Sequence, residues 1–277
     1  MSKNASATLY LRVSADDVTL VRAAEGAPSL HRHRLNRRVS FTLNLREALA
    51  TAPAALTQQV ERVEALCASP FSLVPLSEFA EADAAALYGA SFRPQPRSRV
   101  LFDTLPALGY ALLYALPEAN CRALEEAFPH IALRNALTPV LLRAGATLLG
   151  TQGFLQTYVH EDATDVALWA GRQLIAANTF ATRHVEDAVF FILGFVGALG
   201  RKPEELRFLV GGEGRKREAL QTALARFAPD TVTLESQHAA LPYDVDCALN
   251  SFNSRVSGFI VVSQSCSGFI SPRPLYR

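Results

Sequence analysis

The hydrophobic pattern of this chain runs through one series of elements and then starts it again, which limits the fold more than any single motif does. In the second half, Gly153–His160, Asp165–Ala170 and Gln173–Phe180 alternate apolar and polar residues between tight turns, predicting three strands. Val185–Leu199 predicts an apolar helix, Leu206–Val210 a strand, Arg215–Phe227 an amphipathic helix and Thr231–Leu234 a closing strand. The first half begins the same way, with strands at Leu9–Val13 and Val18–Arg22 around the turn Ser14-Ala15-Asp16-Asp17, and a third at Val39–Leu45. A helix is predicted at Leu49–Leu66, a strand at Phe71–Val74 and a helix at Leu76–Tyr88. A hairpin, Arg99–Asp103 with Gly109–Leu116, interrupts the series. Pro117 then opens a helix at Glu118–Phe128, followed by a strand at His130–Arg134 and a helix at Leu137–Leu149.

Three strands, helix, strand, helix, strand is the layout of a ribonuclease-H-like lobe. Two tandem copies make an α/β, actin-like architecture with a cleft between the lobes. The expected division is a first lobe over 1–150 with an inserted hairpin near 97–116, a second lobe over 151–245, and an irregular tail over 246–277. A length of 277 residues suits two such lobes. With 49% hydrophobic and 19% charged residues the composition is that of a globular protein with a large core. A net charge of +1 provides no field to recruit nucleic acid or an acidic membrane surface. The longest apolar run, Ala188–Gly200, falls short of the ~20 residues that span a bilayer, and is read as a buried helix. No hydrophobic signal region stands in Met1–Ala7, so a cytoplasmic location is expected. Cys67, Cys121, Cys247 and Cys266 form no CxxC pair and are read as free core thiols, with no zinc site among them.

Four segments carry a family resemblance: the hairpin Leu9–Arg22, the joint Ala127-Phe128-Pro129-His130, the stretch Asp165–Phe180 ending in Asn178-Thr179-Phe180, and the helix after it. Over most of residues 8–235 the chain resembles a bacterial domain-of-unknown-function family placed in the superfamily of actin, sugar kinases and heat-shock chaperones. That resemblance implies the fold and no settled activity. It also implies where a nucleotide would bind. The superfamily's first phosphate hairpin has an Asp followed by Gly, where this chain has Ser14-Ala15-Asp16-Asp17. Its second reads Glu161-Asp162-Ala163-Thr164-Asp165, again with an Asp and without the glycine. A Cβ at such a position obstructs the approach of backbone to phosphate. The adenosine motif is better kept, because Leu206–Val210 runs into Gly211-Gly212-Glu213-Gly214 ahead of a helix. A glycine turn at a helix N-terminus can seat an anion, or can simply let strand and helix pack closely; both readings stand. Gly211, Gly212, Glu213, Gly214 and Thr164 are the candidate nucleotide contacts.

Other chemistry finds little support. Asp103, Asp162 and Asp165 do not make the converging carboxylates of a two-metal nuclease, and strand one supplies none. Ser265-Cys266-Ser267-Gly268 is not a nucleophile elbow and has no nearby candidate base. The basic run from His31 to Arg38 lacks interleaved aromatic residues and is read as a solvated loop. Trp169 is assigned to the core, and Asn178 to the cleft or to capping the next helix. The reading favoured is a non-catalytic actin-like protein that binds a protein partner, with no cofactor required. A first alternative is an ATPase or small-molecule kinase in which Asp16 and Asp162 hold magnesium and ATP fills the cleft. A second is an RNA- or ribosome-associated protein binding through Arg32, Arg34, Arg37 and Arg38.

Overall fold

The computed structural model describes residues 8–22, 28–93, 95–147, 153–212, 214–238, 241–253 and 264–265. Its strands and helices run β1 (Thr8–Val13), β2 (Asp17–Arg22), β3 (Ser29–Arg34), α1 (Phe41–Thr51), α2 (Ala54–Thr57), β4 (Arg62–Cys67) and β5 (Phe71–Pro75). They continue with α3 (Ala84–Ser91), β6 (Ser98–Leu105), β7 (Tyr110–Pro117), α4 (Glu118–Ala127), β8 (Ala132–Asn135) and α5 (Leu137–Thr147). The second half holds β9 (Gly153–Val159), β10 (Ala163–Ala170), β11 (Gln173–Ala181), α6 (Val185–Ala198), β12 (Arg207–Gly212), α7 (Gly214–Leu224), β13 (Thr231–Thr233), α8 (Tyr243–Asn253) and β14 (Gln264–Ser265).

Two five-stranded sheets have the same order, β3-β2-β1-β4-β8 and β11-β10-β9-β12-β13. In each, the first three strands are antiparallel and the last three parallel. The architecture is therefore two tandem ribonuclease-H-like lobes in an actin-like fold. A third sheet, β14-β6-β7-β5, forms within the first half together with α3.

Helices α5 and α8 occupy equivalent places in the two repeats and pack on each other where the lobes meet. Tyr243, which begins α8, lies under the Arg143 guanidinium of α5, 5.6 Å from ring centre to cation. Arg143 also donates to the buried Asp246 at 3.0 Å. Val245, Ala248 and Leu249 of α8 pack against Tyr10, Val21 and Leu66 of the first sheet. Gly145 of α5 is pressed against Leu108 and Trp169, where an added Cβ would stand 2.8 and 3.6 Å from their side chains. Each final helix thus reaches the other lobe.

Several sequence readings need correction. Val39–Leu45 is not a strand, because Ser40 caps α1 by accepting from the Leu43 amide at 3.3 Å. The alternation there is accidental, since Leu43 is 42% exposed and Leu45 and Ala48 carry the buried helical spacing. The predicted helix Leu49–Leu66 is broken after Thr51, as Pro53 and the positive φ of Gln59 turn the chain; its last third is β4, lying parallel between β1 and β8. The third strand is instead β3, which contains His31-Arg32-His33-Arg34 and forms the edge of the first sheet. That run is a charged edge strand, not a loop, a pattern that discourages pairing with a further strand. The insertion is larger than the predicted hairpin, since β5 and α3 join β6 and β7 in it.

The tail expected to be irregular from residue 246 instead begins inside α8, whose residues Tyr243 to Leu249 are buried, and beyond Asn253 only 264–265 are among the described residues. Helix α6 buries only Ala188, Ile192 and Val196, so the expectation of a buried helix holds for one face alone. Trp169 is a core residue, 1% exposed. Cys67, Cys121 and Cys247 are buried free thiols, and Cys266 lies outside the described residues. Among the described residues, no helix is long and apolar enough to cross a membrane.

Candidate functional site

The β1–β2 and β9–β10 turns, the end of β12 and the start of α8 supply the residues of the candidate site. The first hairpin tip is satisfied from within. Ser14 Oγ accepts from the amides of Asp16 and Asp17 at 3.2 and 3.1 Å, and the Ser14 amide donates to the Asp17 carbonyl at 3.0 Å. Two amides that could meet a phosphate are thereby occupied by a neighbouring hydroxyl. Asp16 is paired with Arg37, which follows β3. The guanidinium of Arg37 is held above its ordinary pKa, first by the hydrogen bond to Asp16 and further by the charges of Asp162 and Glu161. One arginine thus lies within the influence of both hairpin tips.

At the second hairpin, Lys216 in the first turn of α7 points back to the tip. Its Nζ donates to the carbonyls of His160, Glu161 and Thr182 at 3.1, 3.1 and 2.7 Å. Burial lowers the pKa of this ammonium, which the neighbouring carboxylates only partly oppose. Thr164 is fully buried, its hydroxyl 2.8 Å from that of Thr182.

Gly211 and Gly212 pair with Tyr158 and Val159 at the end of β12. Gly212 has φ +109°, and a Cβ there would stand 2.4 Å from the Val159 carbonyl oxygen. Close strand approach is therefore one requirement for glycine at this position. Gly214, at φ +67°, opens α7 with nothing within 4 Å of an added Cβ. Glu213 lies outside the described residues.

Beneath the hairpins lies a buried ionic network that the sequence reading missed. Arg12 on β1, 2% exposed, donates from Nε to Asp244 Oδ2 on α8 at 2.9 Å. Its Nη1 is 3.7 Å from Asp17, which also accepts from Thr19 at 3.1 Å. From the second lobe, His160 Nε2 meets Asp165 Oδ2 at 2.7 Å, and Thr179 donates to the other oxygen of that carboxylate at 2.7 Å. Burial opposes charging His160, yet its pKa is raised because the Asp165 carboxylate outweighs burial. The charges of Arg12 and Asp244 also reach His160, so the two halves of the network are electrostatically linked.

Asp103, Asp162 and Asp165 have separate surroundings. Asp103 is buried against Asn135 and Thr138, Asp162 is exposed on the hairpin, and Asp165 holds His160. No group of three or more His, Cys, Asp or Glu residues placed to hold a metal occurs among the described residues. Asn178 does not cap α6; His184 does, in a reciprocal box with Asp187. A hollow of about 320 Å³ is lined by Phe71, Leu73, Phe92, Tyr110, Ile175 and Asn178.

Comparison with known proteins agrees with this architecture. The chain is similar to a Bacteroides thetaiotaomicron protein of actin-like ATPase fold and unknown function, with TM-score 0.79 and 21% identity over 90% of this chain and 97% of that one. It is also similar to a chain of the PilM–PilN type IV pilus biogenesis complex, with TM-score 0.53 and 14% identity over 88% of this chain and 98% of that one. No curated protein matches. The model of one family covers residues 2–230, and the chain belongs to that family, described as a protein of unknown function (DUF3822).

Proposed function

We propose that this protein is a non-catalytic, actin-like interaction module that works in the cytoplasm by binding a protein partner. The observation that carries the reading is that its own side chains occupy the hairpin tips. A magnesium–triphosphate group fits the residues present poorly. Asp16, the carboxylate available to a metal at the first tip, is neutralised by Arg37, and the adjacent amides are taken by Ser14. Lys216 spends its charge on three backbone carbonyls, and Thr164 is buried against Thr182. Carbonyls that engage the ammonium in this way stabilise the hairpin and compete with a bound phosphate for the same cation.

The two-lobed scaffold would then present surfaces to a partner without a nucleotide cycle. The PilM–PilN neighbour is a complex of two proteins, the kind of role inferred for this chain. ATP turnover by the wild type, Asp16→Ala and Asp162→Ala proteins tests the reading. Background rates in all three are expected. Measurable turnover by the wild type, lost in either variant, would overturn the proposal in favour of an ATPase or kinase.

A further inference from the structure

Two uncharged strand edges border one hollow. β11 ends the second sheet and β5 ends the inserted sheet, so among the described residues each pairs with a strand on one side only. The hollow of about 320 Å³ is lined by three successive residues of β5, Phe71 to Leu73, and four of β11, Ile175 to Asn178. Successive residues of a strand point to opposite faces of its sheet, so a hollow that meets them in unbroken runs is walled by the strand edges themselves. Tyr110, the pairing partner of Pro75 on β5, donates from its hydroxyl to the Leu174 carbonyl at 3.4 Å and ties the two elements together.

The other sheet edges are protected. β3 carries Arg32 and Arg34, while β8, β13 and β14 are four, three and two residues long. By contrast β11, with nine residues, is the longest strand among the described residues. Neither β11 nor β5 contains an Asp, Glu, Lys or Arg. An edge of this kind invites a further strand, because its outward amides and carbonyls have no partner in the sheet.

The walls also select what can fill the space. A whole sheet from a second copy cannot reach the edge of β11, because β5 stands across the hollow from it. A strand residue in a packed sheet takes up about 160 Å³, from a strand spacing of about 4.8 Å, a rise of about 3.3 Å and a sheet spacing of about 10 Å. The hollow therefore encloses about two residues of a single extended segment, whose backbone meets both edges at once. Ile175, 43% exposed, and the rings of Phe92 and Tyr110 give such a segment apolar contact, and no charged side chain is among the described lining residues.

Building on the reading of this chain as an interaction module, we propose that its protein partner binds in the hollow between β5 and β11 by adding one uncharged, extended segment as a strand between the two edges.

A phage-displayed library of random short peptides, panned on the full chain, supplies the probe. Enriched peptides have an uncharged apolar core and, once synthesised, bind with dissociation constants of about 1–100 μM. Hydrogen exchange reads the pairing: backbone amides of 71–74 and 175–178 exchange at edge-strand rates in the free chain and slow by more than about tenfold with peptide bound. Methylating alternate backbone nitrogens of the peptide weakens binding by at least about tenfold, since strand addition is held by main-chain hydrogen bonds. Ile175→Lys, at an exposed position, sets a charge at the hollow and weakens binding more than about tenfold with the thermal unfolding midpoint unchanged. A library that yields no binder overturns the proposal, as does binding that Ile175→Lys leaves intact. So do edge amides as protected in the free chain as those of the central strand β9, which would show that a segment of this chain already fills the hollow. ATP turnover by a chain that binds peptide here would overturn the reading of the hairpins alone, and failed peptide binding by a chain without turnover overturns this inference alone.

Discussion

Asp103 offers a quantitative test of the packing between the inserted sheet and the first lobe. Its carboxylate, on β6, is fully buried and accepts from the Asn135 amide at 3.0 Å and the Thr138 hydroxyl at 2.6 Å, so it anchors the start of α5. Burial dominates over these hydrogen bonds and over Arg134, pushing its pKa up from 3.8 to about 6. A folded-state pKa above the unfolded one means that the folded state binds the proton more tightly. The resulting stabilisation is complete below the unfolded pKa and is lost as pH rises through about 6. A shift of about 2 units corresponds to about 3 kcal/mol. Asp103→Asn keeps an acceptor for Asn135 and Thr138 and cannot ionise. Denaturant unfolding of both proteins from about pH 4 to pH 7.5 separates this group from the others, because shared titrations cancel in the difference. His160, also raised, acts in the same direction and cancels likewise. Relative to Asp103→Asn, the wild type should lose about 3 kcal/mol across that interval, mostly between pH 4 and 6. A flat difference curve, or a wild type that gains relative stability with pH, would refute the reasoning.

Two further substitutions probe the site. Asp244→Ala removes the carboxylate nearest the buried Arg12 and leaves Asp17 3.7 Å away, so unfolding free energy should fall by about 3–5 kcal/mol; a loss under about 1 kcal/mol would show that the network does not hold the lobes. Gly212→Ala places a methyl group 2.4 Å from the Val159 carbonyl at φ +109°, and a loss of at least about 2 kcal/mol is expected in chemical denaturation. Near-neutral stability in that variant would mean that close strand approach does not require the glycine.

The sequence made the regular parts of the fold readable and its exceptions unreadable for identifiable reasons. The β1–β2 hairpin and the three strands β9 to β11 are rich in apolar alternation bounded by turns, and they lie where expected. β3 was invisible because its charged residues suit an edge, where burial does not select apolar ones. β4 reads as helix because Val60, Val63 and Leu66 fall at helical spacing, whereas its buried Glu64 faces Arg62 and Arg134. At the site, Asp16 and Asp162 could be named as tip residues through the resemblance to the superfamily's two phosphate hairpins. Arg37, the partner of Asp16, could not, since in sequence it is one member of a basic run. Arg12 and Asp244 stand 232 residues apart, and no local pattern signals a pair brought together only by the crossing of α8 onto the first sheet.

The central claim is that the chain's own charges fill the hairpin site in place of a nucleotide. Thermal unfolding with and without millimolar Mg·ATP, with ADP and metal-free controls, tests it most directly. A ligand at a hundred times its dissociation constant stabilises by about 2.7 kcal/mol, which raises the midpoint of a protein this size by roughly 5–10 °C. The account predicts no magnesium-dependent shift in the wild type. A shift of that size, requiring magnesium and abolished by Asp16→Ala or Asp162→Ala, would contradict it.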